Sequence, residues 1–188
     1  INGAWQQGAM LGEGSYLCID QDKAIAHIPA PQDAEIVRLS GELNRTYCGY
    51  GAQREERARN QAVQDSNAAA ASPAAAVSRA GTKASSNYAN GNWDLVDAVC
   101  QDKVDPATIK KTDLPEALRA LNDADLKAHV AKLAIDRTAV QEKIRILNEA
   151  REAFLAAQRK EAGGPDTLDT AVAKAVRAQA GKAGFKWE

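Results

Sequence analysis

Aromatic side chains are scarce in this chain, at 5% of residues, and methionine occurs once. Much of the 45% apolar share comes from alanine, which favours helix but buries little area. That composition excludes a thick core of large rings and favours helices packed around a thin one. Histidine occurs twice and cysteine three times, at Cys18, Cys48 and Cys100, too scattered for a zinc motif. No apolar run approaches the ~18 residues of a membrane span. An excess of charge is missing as well: 24 Lys and Arg face 25 Asp and Glu, with the signs interspersed. Such a balance gives no electrostatic case for nucleic acid or an anionic membrane surface. There is neither a signal-peptide pattern nor an initiator Met. The chain is therefore expected to be a mature product or part of a longer one, and its compartment does not follow.

The 188 residues suit one domain, or a small domain with an appendage. What is present is mostly helical signal. Residues 1–12 can form a helix carrying Trp5, Ala9 and Met10 on one side, stopped by Gly12 and Gly14. Tyr16, Leu17, Cys18 and Ile19 then read as a strand, followed by a second short one around Ile25 to Ile28. A lone hairpin of this kind is marginal in water, so the rest of its sheet must lie elsewhere. Cys18 is expected as a buried thiol there. Pro29 and Pro31 open a helix in which Ile36, Leu39, Leu43 and Tyr47 share one face. The segment AQREERARNQAVQDSNAAAA is helical by propensity and nearly free of large apolar residues, with a kink or turn expected at Pro73 or Gly81. SSNYANGNW is a loop. Asn92 is expected to cap the WDLVDAVC helix, Asp105 and Pro106 to start a short helix, and Leu114 and Pro115 another. Asn122 caps the longest helix, about 122–161, with Leu121 and Leu126 as a hydrophobic staple. Leu168, Val172 and Val176 mark a last helix closed near Gly184, and the aromatics of FKWE are expected to pack.

Candidate chemistry is thin. His27 sits in a short strand and His129 on a charged helix, neither with a partner at metal-ligand spacing. GEGS at positions 12–15 lacks the lysine of a phosphate loop and precedes a strand, so it reads as a turn. Asp94 and Asp97 could pair as acid and base, but aspartates at a helix start are expected from the helix dipole alone. The run QREERARN alternates in sign, as a solvated face does. No G-x-S-x-G pattern occurs. No catalytic, cofactor-binding or metal-binding residue is assigned, and an enzyme is not expected.

The long helix carries a heptad repeat. One seam position is Leu126, Leu133, Val140, Leu147 and Phe154, and the other alternates Val130, Arg137, Ile144 and Arg151. Two arginines on the seam disfavour a long symmetric dimer and favour packing within one chain. The expected partners are the Ala-rich helix of residues 52–72 and the last helix. The arginines are expected to snorkel at the edge of that contact, so that losing Arg137 costs little.

Taken in order, GEGSYLCIDQD, IPAPQDAEIVRLSGELNRTYCGYG, QAVQDSNA, SRAGTKASSNY, NWDLVDAV and LDTAVAKAVRAQAGKAGFKWE resemble the C-terminal part of bacterial proteins with a von Willebrand factor type A (VWA) domain. The resemblance spans nearly the whole chain. It implies a doubly wound α/β sheet followed by a helical extension. Residues 16–20 would be its final strand, residues 32–47 the helix covering that strand, and the rest of the sheet would belong to an upstream VWA portion. The family's metal-ion-dependent adhesion site rests on Asp-x-Ser-x-Ser, which does not occur here, so no metal residue is carried over. The resemblance also implies protein binding and an extracytoplasmic bacterial setting, periplasmic or secreted. Cys48 and Cys100 depart from the family pattern. In such a compartment they could form a disulfide, or they could be two unrelated thiols.

The expected fold is mainly α: a helical hairpin or bundle extension with a small β element. Residues 1–50 are expected as the C-terminal elements of the VWA-like domain, 51–91 as an Ala-rich helix and loop, and 92–188 as the helical extension. The expected function is a non-catalytic protein-interaction or scaffolding region with protein partners of unknown identity. A coiled-coil self-assembly protein, or a fragment of an enzyme with catalytic residues upstream, are the alternatives.

Overall fold

The computed structural model describes residues 2–14, 16, 28–161 and 168–185. Seven α-helices are present among them: α1 (Asn2–Leu11), α2 (Asp33–Asn44), α3 (Arg54–Ala71), α4 (Pro73–Ala84), α5 (Leu95–Cys100), α6 (Asp123–Glu161) and α7 (Leu168–Lys182). Single 3-10 turns at Pro106–Thr108, Lys111–Asp113 and Glu116–Leu118 connect α5 to α6. The protein is mainly α. Among the described residues there is no strand, only an isolated antiparallel bridge between Gly49 and Asp94. Apart from Tyr16 and Ile28, the two-stranded element expected after α1 lies outside the described residues, as do Cys18 and His27.

Chain contacts divide the molecule into two units, residues 29–156 and residues 1–28 with 157–188. In the second unit α1 ends differently from the expectation. Glu13 rather than a glycine takes the left-handed conformation (φ 55°), and Gly14 N–H closes the turn on the Ala9 carbonyl at 2.8 Å. At the end of α7 a glycine does take that role: Gly184 has φ 85°, and Phe185 N–H reaches the Ala180 carbonyl at 2.9 Å. Phe185 is exposed, not packed. Trp187 lies outside the described residues.

The 29–156 unit has two apolar clusters. In the first, Ile36, Leu39 and Leu43 of α2 meet Val77 and Ala80 of α4 and Val140 and Ile144 of α6. Their spacing of three and four places each set on one helix face. In the second, Cys48, Leu95 and Val96 of α5, and Leu114 meet Leu126 and Val130 near the start of α6. The heptad seam of α6 thus faces its own chain, as expected, but against α2, α4 and α5 rather than α3. The reason lies in α3 itself. Its buried residue is Gln61 and its Val63 is exposed, so it has no apolar stripe to offer and lies against α4. In α7, Val172 and Val176 are exposed.

Caps fix the helix starts. Ser72 accepts from Ala75 N–H at 3.0 Å and Pro73 occupies the first position of α4, so the expected break is a clean restart. Gly81 does not interrupt α4. A side chain there would meet the Asn148 amide of α6 at 2.8 Å, so glycine permits close approach of the two helices. Asn122 caps α6 by accepting from Asp125 N–H at 2.8 Å. Asp105 accepts from Ala107 N–H at 3.0 Å and starts its 3-10 turn ahead of Pro106. The cap of α5 is Asp94, not Asn92.

Leu126 and Ile144 are fully buried, whereas Ile135 on the same helix is 70% exposed. Leu126→Ala and Ile144→Ala are each expected to cost ~2–5 kcal/mol in urea unfolding. Ile135→Ala should change stability by less than ~0.5 kcal/mol.

Candidate functional site

Polar chemistry concentrates at two nodes in the 29–156 unit. The first is built on Arg137, which lies on α6 between Leu133, packed in one apolar cluster, and Val140, part of the other. It is not a snorkelling residue at an edge, as the heptad suggested; it is buried. The apolar layers on both sides deny its guanidinium a route to water, so partners come to it. Its Nη1 donates to Asp94 at 2.6 Å and also to Asp97. Its Nε donates to the Thr46 hydroxyl at 3.0 Å, and Nη2 to the Thr46 carbonyl at 2.6 Å. The guanidinium carbon lies 4.4 Å from the centre of the Tyr47 ring, which stacks on Trp93 at 5.8 Å.

Each partner is placed by a local signal. Thr46 follows the end of α2, where carbonyls lack intrahelical donors, and the guanidinium satisfies one. Asp94 caps α5 by accepting from Asp97 N–H at 2.9 Å, and it also accepts from Cys48 N–H at 2.7 Å. Flanking the bridge, Tyr50 N–H donates to the Trp93 carbonyl and Leu95 N–H to the Cys48 carbonyl, each at 2.7 Å. Burial pushes the Asp94 carboxyl above its ordinary range, against the pull of Arg137 and two backbone N–H groups. Arg137 is held charged: burial opposes the charge, but Asp94 and Asp97 outweigh it. Both oxygens of Asp94 are engaged and the residue is fully buried, so the pair described as a possible acid and base is the anchor of a guanidinium.

Lys83, Asp65 and their neighbours form the second node. Lys83 is completely buried on the inner face of α4, beside Val77 and Ala80. Its Nζ donates to Asp65 at 2.5 Å and to the Asn44 amide oxygen at 2.7 Å. Arg79 donates to the other Asp65 oxygen at 2.9 Å and to the Tyr88 hydroxyl at 2.9 Å. The end of α2, α3 and α4 are thereby joined through one carboxylate. Burial pushes Asp65 upward, but the hydrogen bonds from Lys83, Asn44 and Arg79 outweigh it and hold the carboxyl below its ordinary value. Burial lowers the Lys83 ammonium against the pull of Asp65. Sequence reasoning missed this node, although a lysine in register with Val77 and Ala80 was a visible signal.

Cys48 and Cys100 are both free, the first buried and the second exposed, so no bridge joins them. Burial pushes the Cys48 thiol up to about 11, with Asp94 adding to the shift. Cys100 lines an open groove of about 490 Å³ with Val99, Val104, Pro106, Val130 and Ala134. His129 is half-buried on α6. Among the described residues no group of three or more His, Cys, Asp and Glu is arranged to hold a metal ion, and no helix is long and apolar enough to cross a membrane. No family model matches this chain, and comparison with curated proteins and with solved structures found no match.

Two outcomes follow from these nodes. Arg137→Ala strands Asp94 without its cation and is expected to cost ~3–5 kcal/mol in chemical unfolding. Asp65 has a depressed folded pKa, so its stabilisation is present above the unfolded value of 3.8 and is lost as pH falls through the folded value. The loss of unfolding free energy between pH 5 and pH 2 should therefore be smaller in Asp65→Asn than in the unsubstituted protein.

Proposed function

We propose that this chain is a non-catalytic protein-interaction or scaffolding region, attached to a VWA domain of which residues 1–50 are the C-terminal elements. The observation that carries this reading is α1. Its Trp5 is 68% exposed, Met10 77% and Leu11 88%. Three large apolar side chains exposed on one ten-residue helix favour a surface covered by further protein. The occupant of that surface is the sheet and covering helices of an upstream type A domain, in line with the ordered motifs from GEGSYLCIDQD onward. The small β element, as the last strand of that doubly wound domain, belongs to the same proposal, as does an extracytoplasmic bacterial setting. The interiors of the two polar nodes also fit a non-catalytic role, because Arg137 and Lys83 are wholly engaged with structural partners.

A second reading, self-assembly through α6, has one observation in its favour. Ile135 and Ile146 are both exposed and lie three turns apart, on one side of the helix. Light scattering separates the two, since the first reading expects a monomer for this chain alone.

The direct test is the gene upstream of Ile1. The reading expects a strand followed by Asp-x-Ser-x-Ser, and protection of Trp5 from acrylamide quenching when that region is expressed together with this chain. A hydrolase or nucleotide-binding motif upstream, or a Trp5 equally quenched in both forms, would overturn it.

A further inference from the structure

The face of α3 that leaves the core empty presents Arg57, Asn60 and Gln64 at helical spacing, one above another. Together with Arg79, Tyr88 and Trp93 they line a cleft of about 200 Å³ between α3, α4 and the loop before α5. Its chemistry is lopsided. Asn60 and Gln64 make no side-chain hydrogen bond among the described residues, and Arg57 makes one, to the Gln53 side chain at 3.1 Å. Arg79 uses Nε and Nη2 on Asp65 and Tyr88, leaving Nη1 unassigned. Asn90 also lines the cleft. Its Oδ1 accepts from the Trp93 indole at 3.2 Å, while its Nδ2 is a buried donor with no acceptor. A buried donor without an acceptor is costly. Charge points the same way: the two charged residues that line the cleft, Arg57 and Arg79, are both cations, the second of them paired with Asp65.

We propose that this cleft is a binding site for a carboxylate, either a free small organic acid or an acidic group carried on a peptide. A carboxylate offers two coplanar oxygens, which match a guanidinium edge. Asn60 and Gln64, both exposed, line the same cleft and add amide donors. The Arg79 guanidinium, itself 5.1 Å from the centre of the Tyr88 ring, is held in place by Asp65 rather than free to swing. Tyr88, half-buried, and the edge of the buried Trp93, whose ring stacks on Tyr47, complete the lining. The site rests on none of the assignments made for α1, so it stands or falls independently of the VWA reading.

The test is a proton–nitrogen NMR titration of the full chain with succinate and, separately, with an acetylated glutamyl peptide amide, at ionic strength held constant with sodium chloride. Inorganic phosphate serves as the comparison anion. Saturable shifts of the Trp93 indole and Asn90 side-chain amide are expected with at least one of the two carboxylates. The arm that saturates identifies the source, free acid or peptide. Arg57 is exposed, so Arg57→Gln should leave the thermal transition unchanged while weakening that binding about tenfold. Shifts no larger than those caused by chloride, equal binding of phosphate, or an affinity unchanged in Arg57→Gln would overturn the assignment.

Discussion

One buried guanidinium ties the 29–156 unit together. Arg137 sits on α6 where an apolar residue would otherwise continue the seam, and it holds the end of α2, the start of α5 and the Tyr47–Trp93 stack at once. The two apolar clusters meet at this point, each fed by a different stretch of α6. A buried ion pair contributes little net stability compared with a well-packed apolar replacement. Its value lies in direction. Leucine at 137 would accept several registers of α2 and α5 against α6, whereas a fork with fixed donors accepts one.

The second seam arginine extends the same logic. Arg151 donates to Asp33 at the start of α2 at 2.7 Å, with both side chains mostly buried. Arg137 and Arg151 are two heptads apart, about 21 Å along α6, and Asp33 and Thr46 are separated by about 20 Å along α2 and its end. The helices run antiparallel, with an arginine of α6 clamping each end of α2 and Ile36, Leu39 and Leu43 between the clamps. An alanine-rich chain has little large apolar surface with which to specify such alignments. Polar nodes fill that role here, and the Lys83–Asp65 node does it for α3 and α4.

Much of this was legible in the sequence because it was local. The extent of α6, the cap at Asn122, the turn at Asp105 and the inner face of α2 follow from spacing and capping chemistry within a few residues of each other. What was not legible depended on partners far apart in the chain. Asp94 looks like an ordinary helix-start aspartate, and only the fold brings it to Arg137. Arg137 itself was visible as an anomaly on the seam, but the anomaly has two resolutions, an edge or an internal partner, and the heptad alone does not choose. The choice of α2 and α4 over α3 turned on which helix offers large side chains, a comparison the periodicity of α6 does not make. The carboxylate cleft was hidden for a similar reason: QREERARN reads as a solvated face until Arg79, Asn90 and Trp93 are brought opposite it.

A double-mutant cycle between Arg137→Met and Asp94→Asn, measured by urea unfolding, tests most directly whether the Arg137 node organises the unit. Strong coupling is expected, ~2 kcal/mol or more, because either single change leaves the other group buried without its partner. Losses that add to within ~0.5 kcal/mol would show that the two side chains act independently, and would contradict the central place given to the guanidinium.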